Sequence, residues 1–170
     1  KNYPDLDELI ANMFETMYAS KGVGLAAPQI NKAIRLFIID ASGFNEDGEH
    51  PELADFKRIY INPIIVEESG QEWKFEEGCL SIPGIREDVS RKPNVTIEYY
   101  NEKFELIEEK LDGIAARIVQ HEYDHIEATL FTDKINPLKK RLIKGKLSDI
   151  AKGNIKVSYR MRFPLVKAKH

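Results

Sequence analysis

Residues 121–125 read His-Glu-Tyr-Asp-His, and no other stretch constrains the fold of this chain as tightly. Two histidines four positions apart lie on one face and one turn apart on a helix, where i and i+4 are offset by about 40°. Both imidazoles then leave one face, a turn apart, close enough to share a metal ion. Glu122, about 100° round from His121, stands at the margin of that face. A carboxylate there can reach a water beside the ion without ligating it, which is the station of a general base. The plain alternative is a pair of surface histidines on an acidic helix. The chain has only four histidines, one of them the terminal His170, so a chance pairing at this spacing is disfavoured.

The surrounding pattern supplies the frame for such a helix. Asp112-Gly113 opens a helical reading that extends through Leu130. Residues 4–22 give a second, with Leu6, Leu9, Ile10, Met13, Phe14 and Met17 at helical spacing, Asp5 as its cap and Gly22 past its end. Residues 33–40 and 57–68 are β-rich, with an acidic loop around Asn45–Asp55 between them. Residues 94–101 and 103–111 read as paired strands. A last helix is expected over 136–153, with Asn136 capping, Pro137 in the first turn, Gly153 at the exit and Leu138, Leu142, Leu147 and Ile150 as its apolar stripe. Residues 154–163 alternate like a final strand. The expected fold is one α+β domain over 1–170, with mixed or antiparallel sheets around a central metal-binding helix.

Two imidazoles are too few for a catalytic metal, which ordinarily keeps three protein ligands and an open position. A thermolysin-like protease would supply a later glutamate, but none follows Glu127. A metzincin would need a glycine where Ala128 stands and a histidine where Phe131 stands, so that pattern fails as well. The third ligand is therefore sought upstream, where "EEGCLSIPG" carries Cys79, the only thiol. A lone cysteine is more often a small buried hydrophobe; the unfilled ligand position favours a thiolate here. A Cys/His/His set with one open position suits Zn(II) or Fe(II). In "GVGLAAPQI", residues 22–30, small side chains let backbone pass close to a ligand or to another strand. Gln29 ends that run with an amide able to donate to a developing oxyanion.

Composition narrows the class. The chain is 42% hydrophobic and 31% charged over 170 residues, enough for one globular core. No apolar run approaches the roughly 18 residues of a membrane span, the opening residues do not read as a signal peptide, and a single cysteine excludes an internal disulfide. A reducing cytosol is the compartment expected. The net charge of −3 divides unevenly: residues 133–170 hold 12 Lys/Arg against Asp133 and Asp149, or +10, which leaves −13 on the rest. A basic end of this kind is either a solvated face or a docking surface for something anionic.

Together "GVGLAAPQ" (22–29), "EGCLS" (77–81) and "HEYDH" (121–125) resemble the three signature motifs of the peptide deformylases, in that family's order. The resemblance covers roughly residues 3 to 140. It implies a metal-dependent amidohydrolase that removes the formyl group from the N-terminal formyl-methionine of nascent chains, releasing formate in the bacterial cytoplasm. Carried over residue by residue, Cys79, His121 and His125 would hold one divalent ion, natively Fe(II), with Zn(II), Ni(II) or Co(II) as substitutes. Hydroxide on that ion would attack the formyl carbon, with Glu122 as general base and acid. Gln29 and the backbone N–H of Leu80 would form the oxyanion hole, and Gly24 would lie along the substrate. Val23, Ile114, Ile118 and Leu80 are candidates for an apolar methionine pocket, although an inward helix face packed in the core looks the same. Glu77 and Arg91 are expected to pair behind the cysteine loop.

The implied partners are formylmethionyl peptides and, through the basic helix and strand-like tail of 136–170, the ribosome. No membrane and no sequence-specific nucleic acid is expected. Three features depart from the family pattern, one of them the acidic insertion around Asn45–Asp55 together with the strand-like end over 154–163. Roughly twenty residues usually precede the first helix, and Ala128 stands where many relatives have glycine, a strain if that position needs positive φ. The competing classes are a metallopeptidase that cuts internal bonds and a metal-stabilised binding module.

Overall fold

The β-branched and aromatic runs of the chain pair into one antiparallel sheet. In the computed structural model, which describes residues 3–166, its strands are β1 (Gly24–Ala26), β2 (Leu36–Asp40), β3 (Lys57–Ser69), β6 (Asn94–Tyr100) and β7 (Leu106–Leu111), in the order β1-β2-β3-β6-β7. Every pairing in it is antiparallel. Strands β4 (Trp73–Cys79) and β5 (Ile82–Arg91) form a separate two-stranded sheet. Helices α1 (Leu6–Ala19), α2 (Gly113–Ile126), α3 (Phe131–Lys134) and α4 (Pro137–Ala151) complete the α+β architecture. The chain divides into two units, one of residues up to Trp73 with Arg91–Leu130, the other of Lys74–Ser90 with Phe131 onward.

In the first unit β2 is covered on both faces, which explains why it is an unbroken apolar run. Phe37 and Ile39 join Tyr60, Ile97 and Tyr99 against Ala115, Ala116, Ile118 and Val119 of α2. Leu36 and Ile38 point the other way, joining Ile61 against Ile10, Met13, Phe14 and Met17 of α1. Each such side chain contributes about 1.5–3 kcal/mol by leaving water. Small alanines on α2 let the helix that carries the histidines settle close to the sheet.

Two helix ends differ from expectation. The side chain of Asp5 makes no capping bond, because its backbone sits at φ 52°, ψ 38° rather than in the extended region from which a cap reaches forward. Helix α2 stops at Ile126 instead of running to Leu130. There Ala128 adopts φ 56°, and Thr129 N–H turns back to the Asp124 carbonyl at 2.8 Å. This is the left-handed exit that glycine occupies without penalty. Ala128→Gly is therefore expected to stabilise the fold by about 0.5–1 kcal/mol and to raise Tm by about 1–4 °C. Thermal unfolding measures it, and a lowered Tm would remove the strain argument.

In the second unit α4 begins as expected: Asn136 Oδ1 accepts from Leu138 N–H at 2.8 Å, Pro137 fills the first turn, and Gly153 leaves at φ 74°. Its buried stripe is different. Ile143 and Ile150 are buried, while Leu138 and Leu142 are 65% and 76% exposed. Positions seven apart nearly superimpose on a helix, whereas Leu142 lies about 100° from Ile143. Residues 154–163 form no strand. Ile155, Val157, Tyr159, Met161 and Phe163 are half-buried and their neighbours exposed, so the alternation records inward packing rather than pairing in a sheet. Lys139 of α4 bonds Glu87 of β5 at 2.8 Å.

Candidate metal centre

The imidazoles of His121 and His125 stand one turn apart on α2, ring centroids 5.1 Å apart and nearly perpendicular. One donor atom from each, with Sγ of Cys79, makes a trio whose members all lie within 4.8 Å of one another. That spread suits a single small ion, and thiolate plus two neutral imidazoles is a donor set for Zn(II) or Fe(II). His125 is held neutral, its pKa pushed down to about 3, by burial first and then by the charges of His121 and Arg91. Neutral imidazole is the form that ligates a metal.

The depressed pKa has a consequence for the metal-free protein. A histidine whose folded pKa lies below its unfolded value of about 6.5 favours folding above that pH. Its contribution is lost as pH falls toward about 3. Denaturant titrations of the metal-free chain are therefore expected to show falling stability over this window, by at most about 1.4 kcal/mol per pH unit from this group. A flat profile would contradict the burial of His125 as a neutral ring.

Glu122 is buried at 4% exposure, with β1 directly against it. A Cβ added to Gly24 would lie 2.7 Å from Glu122 Cδ and 2.8 Å from Cγ, so any larger residue would force the strand or the glutamate to shift. Further along, Gln29 Oε1 accepts from Ala26 N–H at 2.8 Å. That bond fixes the amide's orientation and turns its amino end, the donor end, away from Ala26. Arg91 donates to Asp124 Oδ2 at 2.7 Å in a buried pair. Arg91 thus has its anchor within the histidine motif itself. Arg35 stacks on Tyr123 and bonds Glu127 at 2.7 Å, fastening the exit of α2.

Cys79 ends β4, and its sulfur accepts from Ser81 N–H at 3.4 Å. The carbonyl of Leu80 accepts from Tyr159 Oη–H at 2.7 Å. Glu77 is buried at 5% exposure in the same strand. Of the expected pocket residues, Val23 is 37% exposed, Ile114 is packed against the core and Ile118 is part of it. Nothing in the sequence marks Asp124 or Tyr159 for a role at the site. Asp124 lies inside the motif as an unassigned acid, and Tyr159 is one inward residue of an alternating tail.

A polypeptide deformylase family model matches residues 1–141. The chain belongs to that family. It is 56% identical to the peptide deformylase of Christiangramia forsetii, over 98% of this chain and 88% of that protein. Among solved structures, it is similar to the Plasmodium falciparum peptide deformylase in complex with an inhibitor, 39% identical with TM-score 0.74 over 86% of this chain and 84% of that one. It is also similar to the Arabidopsis thaliana peptide deformylase 1B bound to an inhibitor, 32% identical with TM-score 0.78 over 93% of this chain and 86% of that one. The α+β class with antiparallel sheets is thus the deformylase fold, and the chain is an enzyme of the deformylase class. The residues past 141, which include most of α4 and Tyr159, lie beyond the family model. Among the described residues, no helix is long and apolar enough to cross a membrane.

Proposed function

We propose that this deformylase hydrolyses the formyl amide at the N-terminal formyl-methionine of nascent polypeptides, yielding formate and a free α-amine. Cys79, His121 and His125 hold one divalent ion, Fe(II) natively, with Zn(II), Ni(II) or Co(II) able to replace it. The observation that carries the assignment is the convergence of those three donors within 4.8 Å. When bound, such an ion acts as a Lewis acid and lowers the pKa of a neighbouring water. The remaining steps belong to the side chains. Glu122 takes the proton of the attacking water and returns it to the nitrogen of the departing amine. The Gln29 amide and Leu80 N–H donate to the oxygen of the formyl group as negative charge grows on it, each worth about 10²–10³ in rate.

Gly24 gives the substrate backbone room beside Glu122. Val23, Ile114, Ile118 and Leu80 line the methionine pocket, of which Val23 is the most exposed member and Ile118 the most deeply packed. Arg91, through Asp124, and Glu77 support the metal ligands from behind. The basic stretch 136–170 docks on the ribosome of a bacterial cytoplasm without reading base sequence. Leu138 and Leu142 stand exposed there among Lys140, Arg141 and Lys144, which suits an anionic surface with apolar recesses. The test is formate release from formyl-Met peptides under anaerobic conditions, with metal analysis on the same sample. Cleavage of blocked internal peptide bonds without formate would transfer the site to the peptidase class.

A further inference from the structure

The peptide that follows the cysteine is held from the far end of the chain. Leu80 C=O accepts the phenolic proton of Tyr159 at 2.7 Å, 79 positions away in sequence. The phenol is the only side-chain donor recorded for that carbonyl among the described residues. Its pKa is raised above the ordinary value, by burial first and then by the charge of Cys79, so it remains a donor at neutral pH. The tail that carries it is itself fastened. Leu165 N–H bonds the Ala151 carbonyl at 3.1 Å, and Val166 N–H bonds the Phe163 carbonyl at 3.2 Å. Gly153, at φ 74°, lies under the Phe163 ring, where a Cβ would come within 3.0 Å of Cδ2. Lys139 ties the start of α4 to Glu87. The first three fasten the tail to itself and to the end of α4, while Lys139 and Tyr159 reach the hairpin that presents residues 79–81.

From this geometry we infer that Tyr159 is a positioning residue for the reaction, fixing the Cys79-Leu80-Ser81 segment through the Leu80 carbonyl. The inference rests on the proposed roles of Cys79 as ligand and Leu80 N–H as oxyanion donor. One rigid plane joins the Leu80 carbonyl to the Ser81 N–H that bonds the cysteine sulfur at 3.4 Å. Holding that carbonyl therefore orients the donor to sulfur, and with it the flanking Leu80 amide. A donor to the developing oxyanion acts on the transition state, so loosening it lowers kcat more than it raises KM.

Tyr159→Phe removes the hydroxyl and keeps the ring. It is expected to lower kcat for formate release by about 10-fold, the loss of one hydrogen bond, with KM and Tm little changed. In metal-free protein, alkylation of Cys79 by iodoacetamide should be faster in the variant than in the parent, because the loosened 79–81 segment opens the half-buried sulfur to solvent. That second readout does not depend on the deformylase reading. A parent that releases no formate defeats the reading itself, while the alkylation contrast still reports on Tyr159. Unchanged kcat together with unchanged alkylation overturns the inference. So does a fall in Tm with full kcat in the folded fraction, which would make the bond purely structural.

Discussion

Replacing Glu122 by glutamine lowers kcat for formate release by about 10²–10⁴-fold, the range of a lost general acid–base group, while metal content stays that of the parent. Glutamine preserves shape and hydrogen-bonding reach but can neither accept the water's proton nor hand it on. The carboxylate is buried at 4% exposure beside two imidazoles of which one is pushed to a pKa of about 3. Such surroundings leave little room for bulk water to replace the missing base. Metal analysis and kinetics on the same preparation make the check. If the variant keeps more than a tenth of the parental kcat with full metal, Glu122 is a structural acid and the proton route runs elsewhere.

A methyl group at Gly24 should be almost as damaging, without touching any group that reacts. Its Cβ would meet Glu122 at Cδ and Cγ, 2.7 and 2.8 Å away, and Oε1 as well. The end of a glutamate is normally free to swing aside. Here it is buried, and Gly24 pairs with Ile39 in the sheet, so strand and side chain must share the displacement. A shift of about 1 Å in a catalytic group is enough for roughly a 10²-fold loss. Gly24→Ala is thus expected to fold, bind metal and lose about two orders of magnitude in kcat/KM. Circular dichroism and metal content establish the first two, and formate kinetics the third. Full activity would mean that Glu122 relaxes at no cost and that the glycine serves the substrate alone.

How much could be read in advance follows from the kind of signal each part leaves. The histidine helix and its glutamate were legible because a spacing of four on a helix is a geometric statement. Cys79 was legible by exclusion, once no later glutamate was available. Four of the five strands of the main sheet were legible from their β-rich runs, but β1 was not, because three residues of Gly-Leu-Ala carry no strand pattern. Two of the misreadings share a cause. Residues 154–163 alternate because Tyr159 and Phe163 reach inward, and a period of two cannot tell a strand from an extended tail laid on its own unit. The choice between Leu142 and Ile143 as the buried face of α4 was equally undetermined, since the helix offered apolar residues on both. The anchoring of Arg91 to Asp124 and of Leu80 to Tyr159 leaves no local mark at all, for each joins residues that only the tertiary fold brings near.

Because neighbouring residues of Leu36–Asp40 serve opposite cores, the hairpin after them has an evolutionary geometry of its own. Adding or deleting one residue within β2 would exchange Phe37 and Ile39 with Leu36 and Ile38 and empty both interiors at once. Length can therefore change only where the chain leaves the sheet. The excursion between Asp40 and Lys57 gives Ala41, Leu53 and Phe56 to the core, so the exposed acidic stretch 46–49 is the outlet at which the chain can lengthen while the reacting groups keep their positions.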